Sequence, residues 1–131
     1  MIAQNLAQLL GSINLLSMQS VTATANGTGV DITQYVGELK FFLACKNTAG
    51  TNPTLDVTLE TSDDDSTYTS VSGGAFTQVT NANTSAAVLL TLNIQSDGLK
   101  KYVRAVKTIG GTSSPAFMTA CFATGVTQVR S

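Results

Sequence analysis

The sequence predicts an all-β fold: one two-sheet antiparallel sandwich, jelly-roll-like, with a short N-terminal helix or arm. Three observations predict it. Short apolar runs recur between clusters of Gly, Asn, Asp and Pro, the residues that supply turn conformations. Two of these runs alternate apolar and polar residues with a period of two, as a strand with one core face does. The chain has 131 residues, 43% of them hydrophobic, which suits one domain built on one core.

Residues 3 to 10, AQNLAQLL, place Leu6, Leu9 and Leu10 at helical spacing, enough for one or two turns ended by Gly11. A helix so short needs a surface to pack on, either its own domain or a neighbouring subunit. Residues 1–15 are therefore read as an arm and 16–131 as the sandwich. Strands are expected over 16–23, 39–46, 54–61, 67–71, 75–79, 87–94, 101–109 and 116–124. Between them stand NGTG at 26–29, AGTNP at 49–53, SDDDS at 62–66, SGG at 72–74, NANTS at 81–85, SDG at 96–98 and GGTSSP at 110–115. Eight short strands at this spacing indicate a sandwich or barrel.

Leu55, Val57 and Leu59 alternate against Asp56, Thr58 and Glu60, and Val88, Leu90, Leu92 and Ile94 against Leu89, Thr91 and Asn93. Each set has one core face. By contrast, FFLAC at 41–45 and AFMTACFA at 116–123 are apolar on both faces, as suits a strand lying between its own core and a second covering, such as a partner subunit. Most of the eight aromatics fall in strand segments and there is no Trp, so the core is expected to be rich in Leu and Val.

Charge is scarce. Asp, Glu, Lys and Arg make up 11% of the chain, against roughly 25% in an ordinary soluble domain. None occurs over 1–30, 66–96 or 108–129. Buried parts of protein interfaces are depleted of Lys, Glu and Asp, so this pattern points to a protein covered by neighbours. Hydroxyl-rich, solvated surfaces are the competing reading.

The same composition excludes several function classes. There is no His, which removes Ser-His-Asp and Cys-His nucleophile arrangements and the usual general base near neutral pH. No phosphate-binding Gly-rich signature or nucleophile-elbow signature occurs. Cofactors are accordingly expected to be none. The net charge is −1 and the seven cations form no long run, which argues against nucleic acid as a partner. Lys100, Lys101, Arg104 and Lys107 are close enough in sequence for a small positive patch suited to a protein carboxylate.

Cys45 and Cys121 lack CxxC spacing and are expected to be buried free thiols; a disulfide would need neighbouring strands and an oxidising compartment. Asp63, Asp64 and Asp65 form the one acidic cluster. Consecutive residues cannot all face one Ca²⁺ ion, so a hairpin turn with Asp side chains capping its backbone is the preferred reading. The amino terminus has no Lys or Arg before its apolar residues and polar residues interrupt every run, unlike a signal peptide or membrane span. A start at Met1 agrees with an unprocessed cytosolic product, with no membrane partner.

From residue 53 the text reads PTLDVTLETSDDDSTYTSVSGGAFTQVTN, then LLTLNIQSDGLKKYVRAVKTIGGTSSPAF. These segments, with the SINLLSMQSVTATANGTGVDIT opening, resemble the capsid decoration (cement) proteins of tailed bacteriophages over residues 12 to 124. The turn carries Asp65 where that family's pattern has Gly. The resemblance implies a β-sandwich, often a jelly roll, that assembles as a homotrimer or other small oligomer on the outside of a capsid and clamps adjacent capsomers. Its implied partner is the major capsid protein and its implied location the virion surface, after synthesis in the host bacterial cytoplasm. It implies no catalytic residues. Asn5, Leu6, Leu9 and Leu10 in the arm, with Tyr102 and Arg104 on a shared strand face, are the candidate contact residues. Alternatives are a phage tail or head-to-tail joining protein, which would form rings, and a carbohydrate-binding module of a tail fibre, which would need exposed aromatics.

Overall fold

The computed structural model describes residues 10–80 and 87–127. Its strands are β1 (Leu10–Val21), β2 (Ala25–Asn26), β3 (Val30–Asp31), β4 (Tyr35–Ser62), β5 (Thr69–Ala75), β6 (Val79–Thr80), β7 (Val88–Gln95) and β8 (Tyr102–Thr127), with one 3₁₀ turn at Ser96–Gly98. All pairings are antiparallel.

Two strands are far longer than the rest, and they pair with each other along almost their whole length. The ladder runs from Tyr35 opposite Thr127 to Ser62 opposite Tyr102. It shifts register once near one end, between Val36 and Lys40, and repeatedly at 47–54, opposite 110–117, where both strands turn a corner together. The first half of β4 and the second half of β8 are flanked by β7 and β1, giving a first sheet ordered β1, β8, β4, β7. The remaining halves are flanked by β5 with β6 and by β2 with β3, giving a second sheet. This wiring is a jelly roll.

The corner has a local cause. Both prolines of the chain, Pro53 and Pro115, lie there, and each removes a ladder donor. Gly50 and Gly111 adopt φ of 109° and 111°, a region that L side chains rarely enter. A Cβ on Gly50 would stand 2.6 Å from Pro115 Cα, and one on Gly111 would stand 2.8 Å from Pro53 Cα. Each strand's glycine thus makes room for the other strand's proline. The segments AGTNP and GGTSSP, expected to end separate strands, therefore act as bends inside continuous ones.

One core serves both layers. Leu39, Phe41, Leu43 and Cys45 from the first half of β4, and Leu55, Val57 and Leu59 from the second, are buried together with Val103, Ala105, Phe117, Cys121 and Ala123 of β8. Ile13, Leu15, Leu16 and Val21 bring β1 into the same cluster. The period-two alternation has the expected sense in both segments that showed it: Leu55, Val57 and Leu59 point inward, and Val88, Leu90, Leu92 and Ile94 pack on the core.

The N-terminal helix is not supported. Leu10 and Gly11 are strand residues, paired with Val126 and Gly125, and residues 1–9 lie outside those described. The apolar residues that follow, Ile13, Leu15 and Leu16, impose strand geometry because they belong to the core. β1 consequently runs across the expected arm boundary at 15/16. SGG at 72–74 is not a turn between strands either; it is a bulge inside β5, where the register shifts between Thr58 opposite Ala75 and Glu60 opposite Ser70. The short pairings of β2 and β3 with β8 were not expected, since ATANGTGV carries almost no strand signal.

Cys45 and Cys121 are free and buried. Burial pushes both thiols up, Cys121 to about 12, although a weak contact from Thr119 partly offsets the rise at Cys45. Thiols held protonated are poor nucleophiles. Iodoacetamide at pH 8 should therefore label neither cysteine in the folded protein and both after denaturation; labelling of the native state would show the core to be open. Leu59, 1% exposed, should cost about 2–5 kcal/mol on truncation to Ala, measured by denaturant unfolding. Leu90→Ala, at an only partly buried position, should cost less.

Candidate interaction surface

The two sheets present different outer faces. In the first sheet, Phe42 lies opposite Phe122 of β8 and Thr91 of β7, while Ala44 lies opposite Ala120 and Leu89. The Phe42 and Phe122 rings stack with centroids 5.0 Å apart. All the exposed large hydrophobic residues described, Met18, Val36, Leu89, Met118, Phe122 and Val126, lie in strands of this first sheet. Leu89 and Met18 are 58% and 60% exposed. Its charges are few: Glu38 and Lys40 lie between the Val36–Val126 pair and the Phe42–Phe122 pair, with Lys40 Nζ over the Phe42 ring at 5.8 Å, and Lys46 lies opposite Met118. A face rich in exposed apolar and aromatic residues and poor in charge suits the core of a protein interface.

FFLAC and AFMTACFA are thus direct neighbours. Phe41, Leu43, Cys45, Phe117, Cys121 and Ala123 fill the core, while Phe42, Ala44, Met118, Ala120 and Phe122 face outward, Met118 and Phe122 exposed and the other three half-buried. Leu89, the apolar member of the otherwise polar set Leu89, Thr91 and Asn93, extends this face onto β7.

The second sheet's outer face is polar and internally paired. Arg104 donates from Nε and Nη2 to Glu60 Oε1 at 2.9 and 2.6 Å, and its guanidinium stacks 3.9 Å from the Tyr68 ring centre. Lys101 lies over Tyr102. Tyr102 and Arg104 do share a face, but the structure places them on this second sheet, away from the apolar one, with Arg104 engaged inside the chain. Of the arm residues, Leu10 pairs with Val126 at the border of the apolar face, whereas Asn5, Leu6 and Leu9 lie outside the described residues. Lys100, Lys101, Arg104 and Lys107 do not form one patch: Lys100 reaches toward Asp63 at 4.0 Å, and Lys107 points to the inner side of the ladder, opposite Val57.

Asp63 to Asp65 close the turn between β4 and β5. Asp64 Oδ1 accepts from Ser66 N and Thr67 N, both at 2.9 Å, and from the Ser62 hydroxyl, also at 2.9 Å. Asp65 has φ of 59°, a left-handed conformation that Gly enters without the steric cost an L side chain carries. Its carboxylate accepts from the Tyr68 hydroxyl, and a side chain at Gly29 would collide with both groups. Tyr68 is pushed up to about 12, by burial first and then by its bond to Asp65. Among the described residues no group of three or more ligating side chains is placed to hold a metal ion.

Hydrogen bonds from Thr67, Ser66 and Ser62 hold the Asp64 carboxyl below its ordinary 3.8. Because the folded value is the lower one, its contribution is present above that pH and is lost as pH falls through the folded value. The melting temperature of Asp64→Ala should accordingly lie below that of the parent at neutral pH and converge on it in acid. Parallel acid limbs in a fluorescence melting series would remove Asp64 from this role.

No protein-family model and no curated protein matches the chain. Its fold does match solved structures. The PBSX exported protein XepA superposes with a TM-score of 0.57 at 15% identity, over 92% of this chain and 38% of that one. A chain of an infectious bursal disease virus particle gives 0.60 at 13% identity, over 90% and 31%. A xylan-binding module gives 0.50 at 11%, over 91% and 78%. The chain spans about a third of the length of the first two, and at these identities the shared property is the jelly-roll fold.

Proposed function

We propose that this chain is a non-enzymatic structural protein of a virion, which binds the outside of a tailed-phage capsid as a small oligomer, a trimer by the decoration-protein resemblance, and stabilises the shell by joining adjacent capsomers. The observation that carries the reading is the outward apolar face of the first sheet, centred on Phe42, Phe122 and Leu89, on a chain otherwise poor in charge. Apolar residues gathered on one face mark a contact surface for another macromolecule. The jelly-roll fold, found also in the particle chain and the exported protein named above, supports a virion setting.

The physics of such a role needs no active site. A protein that binds the assembled shell and not its separated parts stabilises the shell by mass action. Repeated contacts across a lattice then multiply through effective concentration, so each contact can be modest.

The test is retention on isolated major-capsid shells, read by sedimentation and imaged by cryo-electron microscopy. The parent protein should give ordered density at capsomer junctions, with the first sheet facing the shell or the adjacent copy. Phe122→Asp and Leu89→Asp should each weaken retention by about 2 kcal/mol or more, as loss of a buried interface anchor does, while Thr77→Asp beside the second sheet should not. Shells left bare by the parent protein, or bound equally by all variants, would overturn the reading. Rings in class averages would instead favour a tail or joining role, and binding on a glycan array a carbohydrate-binding one.

A further inference from the structure

Lys107 occupies a position that the strand pattern reserves for the core. Along β8, Val103, Ala105 and Lys107 alternate inward, and Lys107 pairs with Val57, which is fully buried. Lys107 is itself only 9% exposed. It lines a cleft of about 360 Å³ where the sandwich is open between β1 and β2, together with Asn14, Ser17, Gln19, Asn26 and Thr28.

The cleft has no acid of its own. Neither of the ion pairs found among the described residues involves Lys107. Residues 1–30, which supply β1 and β2, contain no Asp or Glu, and neither does the stretch of β8 beyond Lys107. Its aliphatic stem is buried while its ammonium, unpaired among the described residues, opens on the water of the cleft, where an anion can reach it. Around it the wall is built of amides and hydroxyls. Asn14 Nδ2 donates to Ser17 Oγ at 2.8 Å and Gln19 Nε2 to the Ser17 carbonyl at 3.1 Å, which orders this rim. β1 also slips register twice here, between Asn14 and Leu16 and between Leu16 and Gln19, so its ladder to β8 is interrupted at the cleft. On the other side, Gly27 N donates to Ala105 O at 2.7 Å, and a Cβ on Gly27 would stand 2.6 Å from that oxygen. The absence of a side chain lets the 26–28 segment press against β8 and form the opposite wall.

We propose that this cleft binds a carboxylate, with Lys107 as its counter-ion and the neighbouring amides and hydroxyls as supporting donors. One cation and neutral donors match a single negative charge better than a phosphate dianion. The carboxylate comes either from a free small acid or from an Asp or Glu side chain of an adjoining protein subunit. Carboxylate binding concerns the isolated protein and stands apart from the capsid reading; only the separation of the two sources rests on that reading.

The experiment is a titration of ¹⁵N-labelled protein with acetate and, separately, with the capped peptide acetyl-Gly-Glu-Gly-amide, at constant ionic strength set with chloride. The amide resonances of Gln19, Gly27 and Thr28 should shift and saturate. Lys107→Met keeps an unbranched stem without the charge and should weaken binding about tenfold or more, with an unchanged spectrum elsewhere to show that it folds. If Lys107→Met fails to fold, Lys107→Arg serves instead and should retain binding. No saturable shift with either probe, or undiminished binding by Lys107→Met, would overturn the proposal. The sources are then separated by assembly: a Lys107→Met protein that self-associates and binds shells like the parent assigns the cleft to a free acid, and one that folds but loses either property assigns it to a neighbour's side chain.

Discussion

The antiparallel pairing of β4 with β8 is the interaction on which the molecule depends, because both layers of the sandwich are built from the same two strands. Each strand crosses from one sheet to the other, so the ladder between them is also the hinge line of the fold. Reciprocal Gly50–Pro115 and Gly111–Pro53 approaches set the corner. Every other strand adds to an edge that this ladder has already made. Since its partners are far apart in sequence, loop-closure entropy must be met before most contacts form, which places this topology among slowly folding ones.

Bending one ladder over itself gives the two outer faces different fates. The face of the second sheet neutralises itself through Glu60, Arg104 and Tyr68, and the turn at Asp64 and Asp65 ties the hairpin beside it. The first sheet's face does not; its aromatic pair and aliphatic neighbours remain open to water. Burying apolar area is worth roughly 25 cal/mol per Å², so a partner covering such a face gains free energy without specialised chemistry. The difference between the faces, more than any single residue, directs the functional reading toward protein contact.

The inward Lys107 is the local exception to the alternation that organises the rest of β8. Consistency between pattern and structure is the rule in this chain, and departures from it are where binding is to be sought. Both departures, the outward apolar set and the inward cation, are visible in the sequence once the alternation of each strand is known.

The sequence by itself determined the all-β class, the positions of the main strands, the inward faces of 55–59 and 88–94, the buried thiols and the turn role of the acidic cluster. These follow from short-range physics: side-chain alternation, turn chemistry and apolar content act within a few residues. The two-sided apolar character of 41–45 and 116–123 was equally legible, and with it the suggestion of a covered surface. Only the tertiary structure decided that these two segments lie side by side, that Leu89, Met18 and Val126 join their sheet, and that Tyr102 and Arg104 belong to the other one. It also decided that Leu10 and Gly11 are strand, where local helical spacing gives way to pairing with residues 125 and 126. The reason is common to all of these: which strands become neighbours, and which way a corner turns them, depends on contacts between residues far apart in the chain, and no local pattern encodes the partner.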